Sequence, residues 1–145
     1  MSVGTPQSQQ PGGGESPDVQ PVHTVQLCIP AQFAFVRLTR LVISGLATQV
    51  PFSLDETEDL RIAVDELCSL LIDSSVDGAD LVATFTLTGN SLSFEGSVPT
   101  GPDPVGIDEL SAHILAATVD SHGVTTDGSV AVARMEKTCA ATSTP

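Results

Sequence analysis

Two adjacent carboxylates, Asp65 and Glu66, lie inside an apolar run and are the residues of this sequence that most suggest chemistry. Carboxylates are costly to bury without partners, so their presence there indicates a site or the relic of one. On a helix, neighbouring side chains point about 100° apart, so this pair cannot converge on one substrate as the carboxylates of a hydrolase do. The position therefore argues against a two-carboxylate hydrolase.

The other residue types that perform acid–base or nucleophilic catalysis are scattered. They are His23, His113, His122, Ser69, Ser111 and Ser121. No two of the histidines have the i, i+4 spacing of a helical metal pair, and none of the serines has the glycines of a nucleophile elbow. We therefore predict no nucleophile–base set, and we assign the histidines to surface or strand positions.

A predicted helix positions the two carboxylates and runs from Asp59 to Asp73, ending near Ser74. Its apolar residues recur at helical spacing. They are Leu60, Val64, Leu67 and Leu71. Ile62 and Ile72 lie off that stripe, which predicts a well-buried helix that is apolar over more than one face. Acidic residues at 55–58 suit the positive end of the helix and are predicted to cap it.

The run 60–70, which reads LRIAVDELCSL, resembles the central helix of the anti-sigma-factor serine kinases of the RsbW-like type. These are small bacterial regulators with a histidine-kinase-like (GHKL) ATPase fold. In that family the glutamate assists phosphoryl transfer, and an asparagine four residues later holds the magnesium of ATP. The resemblance makes Glu66 the candidate catalytic and cofactor-binding residue. Leu70 stands at the asparagine position and offers magnesium none of the oxygen ligands that it needs.

The resemblance also implies glycine-rich phosphate contacts around a lid that precedes the third helix. The expected aspartate-x-glycine-x-glycine signature falls near 97–106, where only Gly101, Asp103 and Gly106 are available, among prolines. A second glycine pair would fall near 109–113, which contains no glycine. We therefore predict no cofactor and no metal, with ATP and magnesium bound only if this degenerate site still works.

Composition narrows the classes of partner. The 145 residues include 18 acidic and 5 basic side chains, for a net charge of −13. This charge disfavours nucleic acid and anionic membranes, and it favours a basic protein partner or simply solubility. No apolar span is long enough to cross a membrane, and the three cysteines form no CxxC pair, so the predicted location is cytoplasmic. We assign Cys28 and Cys68 to buried positions, which makes a redox sensor a weak alternative.

The predicted elements follow the order βα, α, ββ, α, ββ. The strands are 23–29, 79–88, 91–98, 119–125 and 129–137, and the helices are 30–49, 59–73 and 107–118. This order predicts an α/β (α+β) two-layer sandwich with three helices on a mixed, mainly antiparallel sheet. The resemblance implies the same histidine-kinase-like (Bergerat) fold. The predicted domain is 22–137, between a disordered tail at 1–21 and a flexible tail at 138–145.

Several residues are candidates for partner binding. They are Asp55, Glu56, Glu58, Asp59, Phe35, Arg37 and Arg40. The acidic members form an anionic face or serve only as helix caps, and both roles hold together because caps remain exposed. We assign Phe33 to the core and Phe35 to an interface, and we expect both arginines to reach solvent. The resemblance implies that the first helix lies near the dimer and partner surfaces.

The resulting hypothesis is an anti-sigma factor that sequesters an alternative (stress-type) sigma factor. The resemblance implies a homodimer, with release by an anti-anti-sigma antagonist that competes for the chain. An active serine/threonine kinase that phosphorylates this antagonist is the enzyme alternative. A small α/β interaction module outside transcription is the third. Since the nucleotide motifs depart from the family pattern, we expect release by partner competition rather than by phosphorylation.

Overall fold

Two tight turns built on glycine fold four of the five strands into hairpins. Gly89, with φ +56°, follows β2 (Asp80–Thr88) and precedes β3 (Ser91–Pro99). Gly128, with φ +64°, lies between β4 (Ser121–Asp127) and β5 (Val130–Thr138). Glycine adopts this left-handed conformation without the steric cost that other residues incur, so both predicted hairpins form at their predicted turns.

The computed structural model describes residues 21–140, so most of the two predicted tails lies outside the described residues. β1 (Val22–Pro30) completes a sheet of order β1-β2-β3-β5-β4. All four strand pairings are antiparallel, which corrects the prediction of a mixed sheet. The reason is that β5 folds back from β4 into the place beside β3, so every pair of neighbours runs in opposite directions.

Three helices and one 3₁₀ turn supply the second layer. They are the turn Phe33–Phe35, α1 (Val36–Ala47), α2 (Leu54–Ser74) and α3 (Glu109–Thr118). The four residues of the predicted α2 stripe are fully buried, against core side chains of the sheet. Ile72 is also buried, but Ile62 is exposed, so the predicted burial of the helix beyond its stripe holds at Ile72 and fails at Ile62.

A capping box begins α2 earlier than predicted. The Ser53 side chain accepts a hydrogen bond from the Glu56 backbone, and Glu56 Oε1 accepts one from the Ser53 backbone N–H at 2.8 Å. Glu56 Oε2 also accepts from the Ala140 backbone N–H, at 2.9 Å. These two backbone hydrogen bonds, that of Ser53 first, lower the pKa of Glu56. The cap is therefore Ser53 rather than the acidic residues, of which Asp55 and Glu56 lie in the first turn.

The start of α1 and the assignment of its phenylalanines need correction. The helix begins at Val36 rather than at Pro30, which is the last residue of β1. Phe33 is 55% exposed, whereas Phe35 is half-buried and packs against the core. The core assignment of Phe33 was therefore wrong, because residues 33–35 form a 3₁₀ turn to which the α-helical spacing does not apply.

The cysteines occupy two kinds of environment. Cys68 is fully buried on α2, as predicted, and burial raises the pKa of its thiol to about 12. Cys28 is exposed, so its predicted burial was wrong, because it faces the side of the sheet opposite to that on which its neighbour Ile29 enters the core. Cys139 is buried and its Sγ donates to the Pro51 carbonyl at 3.1 Å, so the described fold extends past the predicted boundary at 137.

Candidate functional site

A polar cavity of about 320 Å³ lies between α2, the start of α3 and the end of the loop that precedes α3. Its lining residues are Glu66, Ser69, Leu70, Asp73, Ser74, Gly106, Asp108 and Ser111. The family resemblance assigns the nucleotide to this place, because the cavity contains both Glu66 and the residue four positions later. The two side chains are one helical turn apart on α2 and line the same cavity.

Glu66 is already engaged by a residue of α3. Ser111 Oγ donates a hydrogen bond to Glu66 Oε2 at 2.5 Å, and Ser111 is buried. The Ser111 backbone N–H donates to Asp108 Oδ1 at 2.8 Å, so Asp108 caps α3. We call these three residues the α2–α3 network. It occupies an oxygen of the candidate catalytic glutamate and a backbone donor of the α3 N-terminus.

The cavity does not fit a magnesium–nucleotide complex. Leu70 presents only carbon where the family's asparagine would hold magnesium. Three of the lining residues, Glu66, Asp73 and Asp108, are acidic, and no lysine or arginine is among the residues that line the cavity. A triphosphate would face like charge, with an acidic side chain already at the helix N-terminus that would otherwise favour a phosphate. The described residues also contain no group of three His, Cys, Asp or Glu side chains that could hold a metal ion.

The predicted phosphate-loop residues separate into two places. Gly106 lines the Glu66 cavity, whereas Gly101 and Asp103 line a different cavity of about 250 Å³. The loop that carries them is fastened to the β4–β5 hairpin by two hydrogen bonds. The Thr100 N–H donates to the Ser129 carbonyl at 2.7 Å, and the Val105 N–H donates to Thr126 Oγ1 at 3.0 Å. The structure therefore does not bring Gly101 and Asp103 to Glu66.

Arg40 forms an ion pair between two helices, which the sequence did not predict. Its Nη1 lies 2.8 Å from both carboxylate oxygens of Asp65, which joins α1 to α2. Arg40 still reaches solvent, with its side chain 38% exposed, but the sequence did not predict its ion pair with Asp65. Of the basic side chains that the structure describes, Arg37 alone is exposed and without an ion pair.

Sequence reasoning missed the apolar residues that flank Arg37. Phe33, at 55% exposure, and Leu41, at 67% exposure, precede and follow it by four residues. We call Phe33, Arg37 and Leu41 the α1 outer stripe. Spacing gave no signal of their exposure, because Phe33 lies in the 3₁₀ turn before α1 and an exposed leucine has the same spacing as a buried one. Phe35, the predicted interface residue, is the less exposed of the two phenylalanines.

The predicted anionic face is largely used within the chain. Glu56 serves the α2 capping box, and Glu58 pairs with Arg61 of the same helix at 3.3 Å. Asp59 lies 3.9 Å from Lys137. Asp55 is exposed and makes no ion pair with the described part of the chain. The geometry thus accounts for most of this acidic run by capping and ion pairing.

The histidines contribute nothing to the cavity. His23 lies in β1, His122 in β4 and His113 on α3, and none of the three lines the Glu66 cavity. In residues 21–140 no helix has both the length and the apolar character needed to cross a membrane.

Comparison with known proteins finds relatives in sequence and similarity to solved structures. No family model matches the chain. The chain is 37% identical over 54 residues to the serine-protein kinase RsbW of Halalkalibacterium halodurans, a match that covers 37% of this chain and 33% of that protein. It is 42% identical over 45 residues to RsbW of Bacillus subtilis, covering 31% and 28%, and 30% identical over 70 residues to RsbW of Bacillus thuringiensis, covering 47% and 44%. The matches thus span less than half of each relative.

A crystal structure of the RsbU and RsbW domains of a Mycobacterium tuberculosis protein has a similar backbone. The TM-score is 0.59 at 11% sequence identity, and the match covers 80% of this chain and 32% of that one. At that identity the likeness shows a shared fold. The shared fold agrees with the predicted two-layer, histidine-kinase-like architecture.

Proposed function

We propose that this chain, which is RsbW-like in sequence and fold, is an anti-sigma factor that acts by binding rather than by phosphoryl transfer. It would hold an alternative sigma factor away from core RNA polymerase until an anti-anti-sigma antagonist competes for the chain. One observation carries the proposal. The RsbW-like fold is retained, whereas the cavity at Glu66 has Leu70 at the magnesium position and an acidic cap at the phosphate position. A cytoplasmic homodimer is part of the same proposal.

The α1 outer stripe is the surface that we propose for the partner. Phe33 and Leu41, four residues before and after Arg37, both expose apolar area. An arginine between apolar anchors is the arrangement that often dominates the energy of protein interfaces. The net charge of −13 favours a partner that is basic overall, and this unpaired guanidinium would pair with one acidic group on that partner. Arg40 contributes indirectly, because its pair with Asp65 fixes α1 against α2.

The test uses the purified chain and each purified alternative sigma factor of the organism from which the chain comes. Run-off transcription with core polymerase would measure inhibition, and calorimetry would measure the dissociation constant. We expect Arg37→Ala to weaken binding to one sigma factor on the order of tenfold or more. Arg61→Ala is the matched control, because Arg61 is also exposed but is paired with Glu58 within α2. We expect it to change the dissociation constant less than about twofold, as for a rim position.

The outcomes separate the alternatives. Equal losses in the two variants would contradict the proposed surface and leave only a general charge effect. If no sigma factor binds the wild-type chain, the interaction module outside transcription becomes the better description. Binding by both the wild type and Arg37→Ala with equal affinity would keep the anti-sigma function and reject the α1 outer stripe.

An active serine/threonine kinase is the second candidate. It is favoured by the names of the relatives, which are serine-protein kinases, and by the presence of Glu66. Its test is transfer of labelled phosphate from Mg-ATP to a purified antagonist, with Glu66→Ala as the inactive control. Transfer that disappears in Glu66→Ala would establish the kinase. We expect no transfer, because the cavity lacks a magnesium ligand at residue 70.

A further inference from the structure

We infer that the α2–α3 network takes the place of a bound nucleotide, so that α3 is fastened to α2 by the chain's own side chains. Only its consequence rests on the proposed function: the affinity for the partner should not depend on Mg-ATP. The residues concerned are Glu66, Asp108 and Ser111.

The first step concerns the N-terminus of α3. A helix N-terminus carries unpaired N–H groups and a partial positive charge, and it favours an anion. Here the anion belongs to the chain, because Asp108 Oδ1 accepts from the Ser111 N–H at 2.8 Å. The acidic cap supplies from within the chain the stabilisation that a phosphate would otherwise provide.

The second step concerns the link between the helices. Ser111 Oγ donates to Glu66 Oε2 at 2.5 Å, across 45 positions of sequence, from a side chain that is buried. A hydrogen bond to a carboxylate is stronger than one between neutral groups. One serine therefore joins the α3 cap through its backbone and the middle of α2 through its hydroxyl.

The third step concerns the loop before α3. Its Thr100 and Val105 N–H groups bond to the β4–β5 hairpin, to the Ser129 carbonyl and to Thr126 Oγ1. These bonds give the loop a fixed path that needs no phosphate to order it. The α3 start and the preceding loop are thus both held by contacts within the described chain.

Hydrogen–deuterium exchange on the full chain tests the inference without any partner. In the wild type we expect millimolar Mg-ATP to leave the exchange of α3 and of residues 99–108 unchanged. In Ser111→Ala we expect α3 amides to exchange about tenfold faster, the fold-change that matches loss of one hydrogen bond to a charged group. Ser69→Ala is the matched control, since Ser69 lines the same cavity and its side chain makes no hydrogen bond to the described residues.

Several results would overturn the inference. Slower α3 exchange in wild-type chain with Mg-ATP would show that nucleotide still supplies the contact. Wild-type exchange in Ser111→Ala, or equal acceleration in Ser69→Ala, would show that the network does not hold α3. If Ser111→Ala does not fold, Glu66→Gln replaces it, because an amide oxygen retains a weaker bond, and we expect about threefold faster exchange. Since no sigma factor is present, these results are independent of the proposed function.

Discussion

Removal of the Arg40–Asp65 ion pair should loosen α1, the helix that carries the proposed partner surface. Arg40 Nη1 lies 2.8 Å from both oxygens of Asp65, and the pair joins two helices that also share the apolar core and a 3.8 Å contact between Cys68 Sγ and Thr39 Oγ1. The perturbation is a double-mutant cycle of Arg40→Ala, Asp65→Ala and the double variant. The cycle isolates the coupling between the two side chains from their other effects.

The expected magnitude follows from exposure and distance. The two side chains are 38% and 39% exposed, so solvent screens the pair and the energy of a buried pair does not apply. Exposed pairs contribute about 0.2–1 kcal/mol, and hydrogen bonds to charged groups about 1.5–3 kcal/mol. The doubly contacted, half-exposed pair should couple by about 1 kcal/mol. The comparison pair, Arg61–Glu58, lies at 3.3 Å with exposures of 45% and 58%, and it should couple by about 0.3 kcal/mol.

Urea unfolding followed by circular dichroism measures both cycles under the same conditions. For a domain of this size, about 1 kcal/mol corresponds to a fall in Tm of roughly 3–6 °C. High salt should reduce the coupling of both pairs. A coupling energy for Arg40–Asp65 that is no larger than that of Arg61–Glu58 would refute the claim that this pair secures α1.

Two further predictions concern the core and the thiols. Gly96→Ala should destabilise the chain by about 1–3 kcal/mol in urea unfolding. The reason is that an added Cβ would lie 2.8 Å from Leu71 Cδ1 and 2.9 Å from Phe94 Cζ in the packed core. Unchanged stability would mean that these two side chains move aside without cost. In the native chain at pH 8, a thiol reagent should modify Cys28 alone, because Cys28 is exposed whereas Cys68 and Cys139 are buried. Burial also raises the pKa of the Cys68 thiol to about 12. Rapid modification of Cys68 would contradict its burial. Denaturant should then expose the other two thiols.

The parts of the fold that the sequence predicted are those that local pattern determines. The α2 stripe has helical periodicity over several turns, and burial of that stripe requires a sheet opposite it. The hairpins depend on Gly89 and Gly128, because each turn requires a residue that adopts a positive φ readily. Where the pattern was interrupted by a short 3₁₀ turn, at Phe33, the prediction failed.

Glu66 and Leu70 line one cavity, as their spacing on a helix predicted, but the contacts around them were not predicted. Helical spacing and the family resemblance selected Glu66 and Leu70. No local pattern indicates that Glu66 bonds to Ser111 or that Arg40 bonds to Asp65, because each pair lies on different elements and depends on how those elements pack. The sequence therefore did not predict the polar contacts between residues that are distant in the chain.

Calorimetric titration of the inhibited sigma factor into the chain, with and without millimolar Mg-ATP, measures whether the chain binds that sigma factor without nucleotide. We expect one dissociation constant under both conditions, because the α2–α3 network already holds α3 in place. Binding that appears only with Mg-ATP, or that tightens about tenfold or more with it, would show that the chain depends on nucleotide to bind its sigma factor.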